Sequence, residues 1–340
     1  GSANCDMPQS VVFGRPGGGK RSPEVDVAKG IGIVLVIMGH CGGCTIQQVI
    51  LTSFHMPLFF FLSGLFLLKK TETDIDFMKK KAKTLLFPCL IFGLILSTYS
   101  TGLDLLRNDN TIPYGLRYIG LFINMRQNPF PGSLWFFPCL FMVEMMLFYL
   151  HKLSKGKTII MSIGVVIFTC LGLLVHHFYG KGLPWSLDIA LYCTSFTMVG
   201  YVVKDAILRK NSVVTYIIAL IVFIISVYVN YKYMGESIDL YCCRLGLYPL
   251  FFISAFTGIY LSIGLAKILQ HIKILNFFGQ NSMIIYPLQY LFILPIGKPL
   301  ELVVENGLVR NIIHTIIILL ILTPIINIIN RQYKWMTGKF

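Results

Sequence analysis

Ten apolar stretches, each about long enough to cross a bilayer as a helix, follow one another through a chain of 340 residues. They lie near residues 28–44, 54–68, 84–100, 133–150, 158–175, 186–203, 212–231, 245–266, 277–297 and 311–330. Backbone N–H and C=O groups in hydrocarbon must pair within the chain, which leaves helices and closed barrels as the only spanning structures. These runs are continuously apolar, which is the helical pattern. The composition agrees, at 55% apolar residues, 13% charged and a mean hydropathy of +0.72. The expected fold is therefore all-α, a polytopic integral membrane protein of about ten transmembrane helices. A soluble chain of this length would suggest two domains. Here one membrane domain, residues 23–335, is expected after a disordered cytoplasmic tail, residues 1–22, rich in Gly, Pro and Ser. No cleavable leader is recognised, so the first span is expected to direct insertion.

The formal net charge of +14 raises the question of nucleic acid. The positions of the charges answer it. With the N-terminus inside, 21 of the 29 Lys and Arg residues fall on the cytoplasmic side and 8 on the other. This positive-inside bias supports an even number of spans with both ends cytoplasmic, in a cell (inner or plasma) membrane. The basic excess then meets lipid headgroups, and no basic stripe interleaved with aromatics remains for a nucleic acid.

Asp26 to Gly43, DVAKGIGIVLVIMGHCGG, carries the chemistry of the first span. Eleven helical steps separate Lys29 from His40, about three turns, so both share one face and lie about 16 Å apart along the axis. Lys29 then belongs at a membrane surface and His40 at half depth or beyond. An ionisable side chain there is a functional candidate, the alternative being a histidine that packs helices through a neighbouring carbonyl. Cys41 and Cys44 form a CxxC directly after His40; no second ligand pair is spaced to match, and no metal is expected. Gly14, Gly19 and Lys20 approach a phosphate-binding loop, but Arg21 replaces its Ser or Thr and no strand precedes it.

Further along, Thr45 to Leu51 reads as a surface turn, and His55 opens the next apolar run, where an interfacial role competes with a functional one. FMKKKAKTLLFP holds Lys79, Lys80, Lys81 and Lys83 ahead of Pro88, suiting either anionic lipid or a phosphorylated cytoplasmic substrate. The outer stretch 101–132 is long enough for a lid or acceptor surface, and Trp135 follows at the interface. Glu144 stands mid-span with no adjacent charge, so it is either protonated or faces a polar interior, where it is able to orient a histidine. His176 and His177 read as solvated loop residues, and Cys242, Cys243 and Arg244 as the start of the eighth span. Gln280, Asn281, Ser282, Tyr286 and Gln289 mark the ninth span, which Pro287 disturbs; they either bind a ligand or pair helices.

Several stretches together resemble the acyltransferase-3 family of integral membrane O-acyltransferases. They are R-x4-D-x2-K-G at Arg21, Asp26, Lys29 and Gly30, K-x10-H at Lys29 and His40, and FHMPLFFFLSG at Phe54 to Gly64. The basic run ending at Pro88, SLWFF at Ser133 to Phe137 and GQNSMIIY at Gly279 to Tyr286 complete the likeness, spread over most of residues 21–290. Shorter members are similar to sugar O-acetylases of the fucose 4-O-acetylase type. One departure is visible: the family often has a histidine a few residues after the tyrosine, where this chain reads Tyr286-Pro287-Leu288-Gln289.

The resemblance implies transfer of an acyl group, usually acetyl, from cytoplasmic acetyl-CoA or another acyl-CoA to a hydroxyl of an extracytoplasmic or lipid-linked glycan. Under it, Arg21, Lys29, Lys79, Lys80, Lys81 and Lys83 hold the donor. His40 acts as general base or covalent acyl carrier, with Glu144 supporting it. Asp26, His55, Trp135, Asn281 and Tyr286 supply polar groups toward the substrates. The rival class is a glycan or small-molecule transporter or flippase without chemistry, for which ten spans would serve as well; the paired repeats or broken helices common in such proteins are not evident here.

Overall fold

The computed structural model describes residues 22–67, 73–107, 113–123, 134–179, 182–207, 209 and 212–338. Residues 1–21 of the expected tail, Arg21 among them, and Ser133 of SLWFF lie outside the described residues, while Ser22 stands directly before the first helix. The described part is helical throughout, its one β-like feature being an isolated antiparallel bridge between Asp239 and Arg244.

Helix α1, Pro23–His40, is the axis of the bundle and packs against six other helices. Pro23 starts it, where a missing N–H costs nothing, and Glu24 and Asp26 complement the positive end of its dipole. The neighbours are α2 (Thr45–Thr52), α3 (His55–Gly64), α11 (Tyr248–Ile268), α12 (Lys273–Gln280), α13 (Ser282–Leu288) and α15 (Gly307–Gln332). The approach of α1 to α12 is set by two glycines. A Cβ on Gly30 would lie 2.0 Å from the Leu275 carbonyl oxygen, and one on Gly279 1.7 Å from that of Asp26. Backbone therefore touches backbone, an interface of small residues that suits helices in lipid. The α12–α13 chain then climbs beside α1, with Met283 and Tyr286 at the level of Ile33.

Among the described residues eight helical stretches are long and apolar enough to cross a membrane, and nine with the bent pair α13 and α14 (Tyr290–Val303), which meet at 55°. Helix α1 is not among them because Glu24, Asp26 and Lys29 all fall in its 18 residues. With α1 and the bent pair counted, each of the ten apolar runs has its helix. The protein is a multi-pass membrane protein, and the runs at α8 (Thr158–Tyr179) and α10 (Val213–Met234) form its periphery, with Ile159, Ile167, Ile217 and Ile225 turned outward.

Four local expectations need correction. Thr45–Thr52 is helix α2 rather than a turn, and it runs into α3 as one 20-residue span. The third span starts at Asp74, not near residue 84: α4 (Asp74–Lys81), a π turn at Ala82–Leu86 and α5 (Phe87–Arg107) are continuous. Thr73 caps it through the Asp76 amide, and the π turn absorbs the N–H that Pro88 lacks. His176 and His177 sit in the last turn of α8. Cys242, Cys243 and Arg244 precede α11, in a turn where Arg244 binds Asp239 and Glu236.

The remaining spans are α7 (Phe136–Leu153) and α9 (Leu187–Val203), with α6 (Tyr114–Ile123) a short helix after α5.

Candidate active site

His40 ends α1, and both of its ring nitrogens are engaged. Nδ1 lies 2.7 Å from the Val36 carbonyl oxygen, one turn back. A carbonyl only accepts, so Nδ1 carries the proton and Nε2 presents its lone pair. The Tyr290 hydroxyl, 2.7 Å away, donates to that lone pair. The two rings meet edge to face with centroids 5.0 Å apart. His40 is nonetheless exposed, so its reactive edge opens into accessible space.

The turn after His40 is fixed from α15. Asn311, fully buried, donates through Nδ2 to the carbonyl oxygens of Met38, at 2.7 Å, and Gly42. Its Oδ1 accepts from Gln47 Nε2 at 2.7 Å. These bonds satisfy carbonyls that the end of a helix leaves orphaned. Gly42 has φ 76°, in the left-handed region, and a Cβ on Gly43 would lie 2.4 Å from Gln47 Oε1. The two glycines after His40 thus let the chain turn under Gln47 and Asn311.

His55 stands against the same turn. Its Nδ1 bonds the Leu51 carbonyl oxygen at 2.6 Å, so its Nε2 also presents a lone pair, and a Cβ on Gly39 would lie 3.9 Å from it. Asp239 lies within electrostatic range of both histidines. Burial disfavours its carboxylate, but the Cys242 amide and the Arg244 guanidinium outweigh that and hold the carboxyl below its ordinary 3.8.

Tyrosines line the wall beside α1. Tyr286 and Tyr290 are one turn apart, ring centroids 6.3 Å from each other. Tyr286 is 5% exposed, and its hydroxyl has no hydrogen-bond partner among the described residues. With Ile33, Met56, Phe59, Phe136, Ser282 and Met283 it lines a small apolar cleft partway between Lys29 and His40. Trp135 packs on Tyr241, which lies within electrostatic range of Tyr290. His55, Trp135 and Tyr286 therefore gather around His40 and the cleft below it.

Asp26 and Asn281 do not. Asp26 sits about 21 Å along α1 from His40, at the Lys29 end, where it accepts a 3.3 Å hydrogen bond from Gln280 Nε2. Asn281 joins α12 to α13, donating to the Phe277 carbonyl oxygen and accepting from Asn330 Nδ2 at 2.7 Å. Lys79, Lys80, Lys81 and Lys83 belong to α4 and the π turn at that same basic end, and Lys29 is half-buried there.

Glu144 is placed away from the role of orienting His40. His40 is bonded to Val36 and Tyr290, whereas Glu144 Oε1 forms an ion pair with Lys81 Nζ at 3.1 Å. The Glu144 side chain is 5% exposed and that of Lys81 18%, so a buried carboxylate meets a half-buried cation. Glu144 thus draws the lysine-rich helix onto the bundle.

Sequence reasoning missed Tyr290, Asn311 and Asp239. Asn311 carried a signal, a lone amide inside an apolar run; Tyr290 and Asp239 looked like ordinary interfacial and loop residues. Among the described residues no group of three or more His, Cys, Asp or Glu is placed to hold a metal, and Cys41 and Cys44 are free thiols.

A family profile described as an acyltransferase domain, acyltransferase-3, matches residues 22–331. That match covers α1 to within one residue of the end of α15 and includes every site residue named above except Arg21. Neither the curated proteins nor the solved structures contain a significant match to the chain. The chain belongs to the acyltransferase-3 family and is a membrane acyltransferase.

Proposed function

We propose that the protein moves an acyl group, in the first instance acetyl, from cytoplasmic acyl-CoA to a hydroxyl of an extracytoplasmic or lipid-linked glycan. It would do so in the cell membrane with both termini cytoplasmic. One observation carries this reading: a histidine whose Nε2 is the basic nitrogen, held at rest by the Tyr290 hydroxyl, and a cluster of cations stand at opposite ends of one helix, with a narrow apolar cleft between them.

A CoA thioester has a matching anatomy, phosphates at one end and the reactive carbonyl at the end of a thin arm. Lys29, Lys79, Lys80 and Lys83, with Arg21 in the adjoining segment, supply point charges for the phosphates, while Lys81 is shared with Glu144. The cleft beside Ile33, with room at rest for about one water, would have to widen to take the arm, and the Tyr286 hydroxyl on its wall would then offer one of the arm's amide carbonyls a hydrogen bond. His40 Nε2 takes the proton of the acceptor hydroxyl, whose oxygen attacks the acyl carbon, or attacks that carbon itself. Asp239, held ionised in its turn, favours positive charge on His40 and His55 as it develops. Trp135 offers a face to a sugar ring.

The test is thermal stability of the purified protein in detergent with acetyl-CoA, with free CoA and with neither. A ligand at about 100 times its Kd adds about 2.7 kcal/mol, a shift of several degrees. Lys29→Ala and Lys80→Ala should reduce that shift. A folded, monodisperse protein that shifts with no acyl-CoA would favour the transport reading instead.

A further inference from the structure

Tyr290 has no part in the reading above, yet it is the one side chain that touches the reactive nitrogen of His40. Because Nδ1 is committed to the Val36 carbonyl, Nε2 is the only basic position on the ring, and the Tyr290 O–H occupies it at 2.7 Å. In this arrangement the base is masked. Neither an acceptor hydroxyl nor an acyl carbon reaches Nε2 until that hydrogen bond is given up.

The hydroxyl, half-buried between the Tyr286 and His40 rings, is then free to take a new partner. The reaction supplies one. A thioester carbonyl oxygen accepting from Tyr290 Oη would sit about 2.7 Å from it, and with Oη itself beside Nε2 this allows the carbonyl carbon to stand within about 3–3.5 Å of Nε2, the distance of a near-attack arrangement. Tyr290 is also the first residue of α14, directly after the 55° bend at Gln289, so a small change at that joint moves Oη relative to His40.

We infer that Tyr290 is a further catalytic residue, a switching hydroxyl that masks His40 Nε2 at rest and hydrogen-bonds the acyl carbonyl oxygen during transfer. The inference rests on the acyl-donor reading. In the direct route the acceptor proton passes to Nε2 while the acceptor oxygen bonds the acyl carbon. The carbonyl electron pair moves onto oxygen, where Tyr290 holds it by a hydrogen bond without giving up its proton. As the pair returns, the C–S bond breaks, and the thiolate takes the proton from the His40 imidazolium. No other reactant is needed.

Tyr290→Phe separates the two duties. It removes one oxygen, so it unmasks Nε2 and deletes the donor to the oxyanion. Two quantities are compared with the wild type: labelling of His40 by diethyl pyrocarbonate, located by peptide mass spectrometry, and kcat and KM for acetyl-CoA in acyl transfer. Faster labelling together with a kcat lower by about 10²–10³-fold, the usual effect of losing one oxyanion donor, and a KM little changed is the expected result. A wild-type or higher kcat in Tyr290→Phe overturns the catalytic role, since a hydroxyl that only masks would restrain the enzyme. Unchanged labelling overturns the masking. If the wild type transfers from no acyl-CoA, the donor reading fails and the switch during transfer falls with it, while the labelling still decides whether Tyr290 masks His40. Should Tyr290→Phe not fold, 3,5-difluorotyrosine at position 290 keeps the hydrogen bond with a more acidic hydroxyl. It should move the alkaline limb of the kcat profile to lower pH, and an unmoved profile would reject the role.

Discussion

Replacing Asn311 by Ala tests whether α15 holds His40 in place. The change leaves the Met38 carbonyl and the Gln47 side-chain amide without their partner, and the Gly42 carbonyl with Gln48 Nε2 alone. A buried polar group left unpaired costs about 1–3 kcal/mol, and the exposed side of the turn lets some of these find other partners, so the expected loss is about 2–5 kcal/mol. The turn that follows His40 would then be free to shift. A displacement of about 1 Å at a reacting group costs about 10²-fold in rate. Asn311→Ala should therefore melt several degrees below the wild type in detergent and lose acyl transfer by about two orders of magnitude, with acetyl-CoA still raising its melting temperature. Combining it with Gln47→Ala should cost less than the two single changes added, because they share one hydrogen bond. A variant with unchanged melting temperature and kcat would refute the claim that Asn311 sets the catalytic geometry.

Other substitutions probe separate parts of the account. Gly279→Ala puts a Cβ 1.7 Å from the Asp26 carbonyl oxygen, so α12 must move off α1; loss of folded protein on size-exclusion chromatography is expected, while Gly102→Ala, with open space around it, should behave as wild type. Glu144→Gln leaves the half-buried Lys81 without its counter-ion and should cost about 1–3 kcal/mol in unfolding, whereas Lys81→Met with Glu144→Leu should recover most of it; equal stability of all three proteins would show the pair to be unimportant. Because folding lowers the Asp239 carboxyl below its ordinary 3.8, the stabilisation it gives is complete above that value and is lost as pH falls through the folded-state value. Asp239→Asn should then flatten the acid side of a melting-temperature profile, and a profile identical to the wild type would count against the ionised turn.

The spans were legible because each is a long apolar run, and lipid leaves such a run one conformation to adopt. The pairing of Lys29 with His40 along one helix followed from spacing alone. What spacing does not carry is which helix stands opposite. Glu144 had no charged neighbour in its own span and read as a partner for His40; its partner is Lys81, which is brought in by a helix that runs unbroken from Asp74 through a π turn. Tyr290 meets His40 across 250 residues of sequence, and Asn311 meets Met38 across 273. The first contact depends on α12 and α13 rising in step with α1, which in turn depends on Gly30 and Gly279 having no side chain, and the second on α15 packing directly on α1. Asp26 and Asn281 were grouped with the acceptor residues by motif, but the first turn of α1 and the α12–α13 joint lie at its opposite end.

The most direct test of the whole account is thiol release from acetyl-CoA by the reconstituted protein, followed for the wild type and for His40→Ala with an O-linked sugar acceptor present. The account predicts acceptor-dependent release of free CoA and acetylated sugar from the wild type, and none above background from a folded His40→Ala that still gains stability from acetyl-CoA. Release at the wild-type rate by His40→Ala would contradict it.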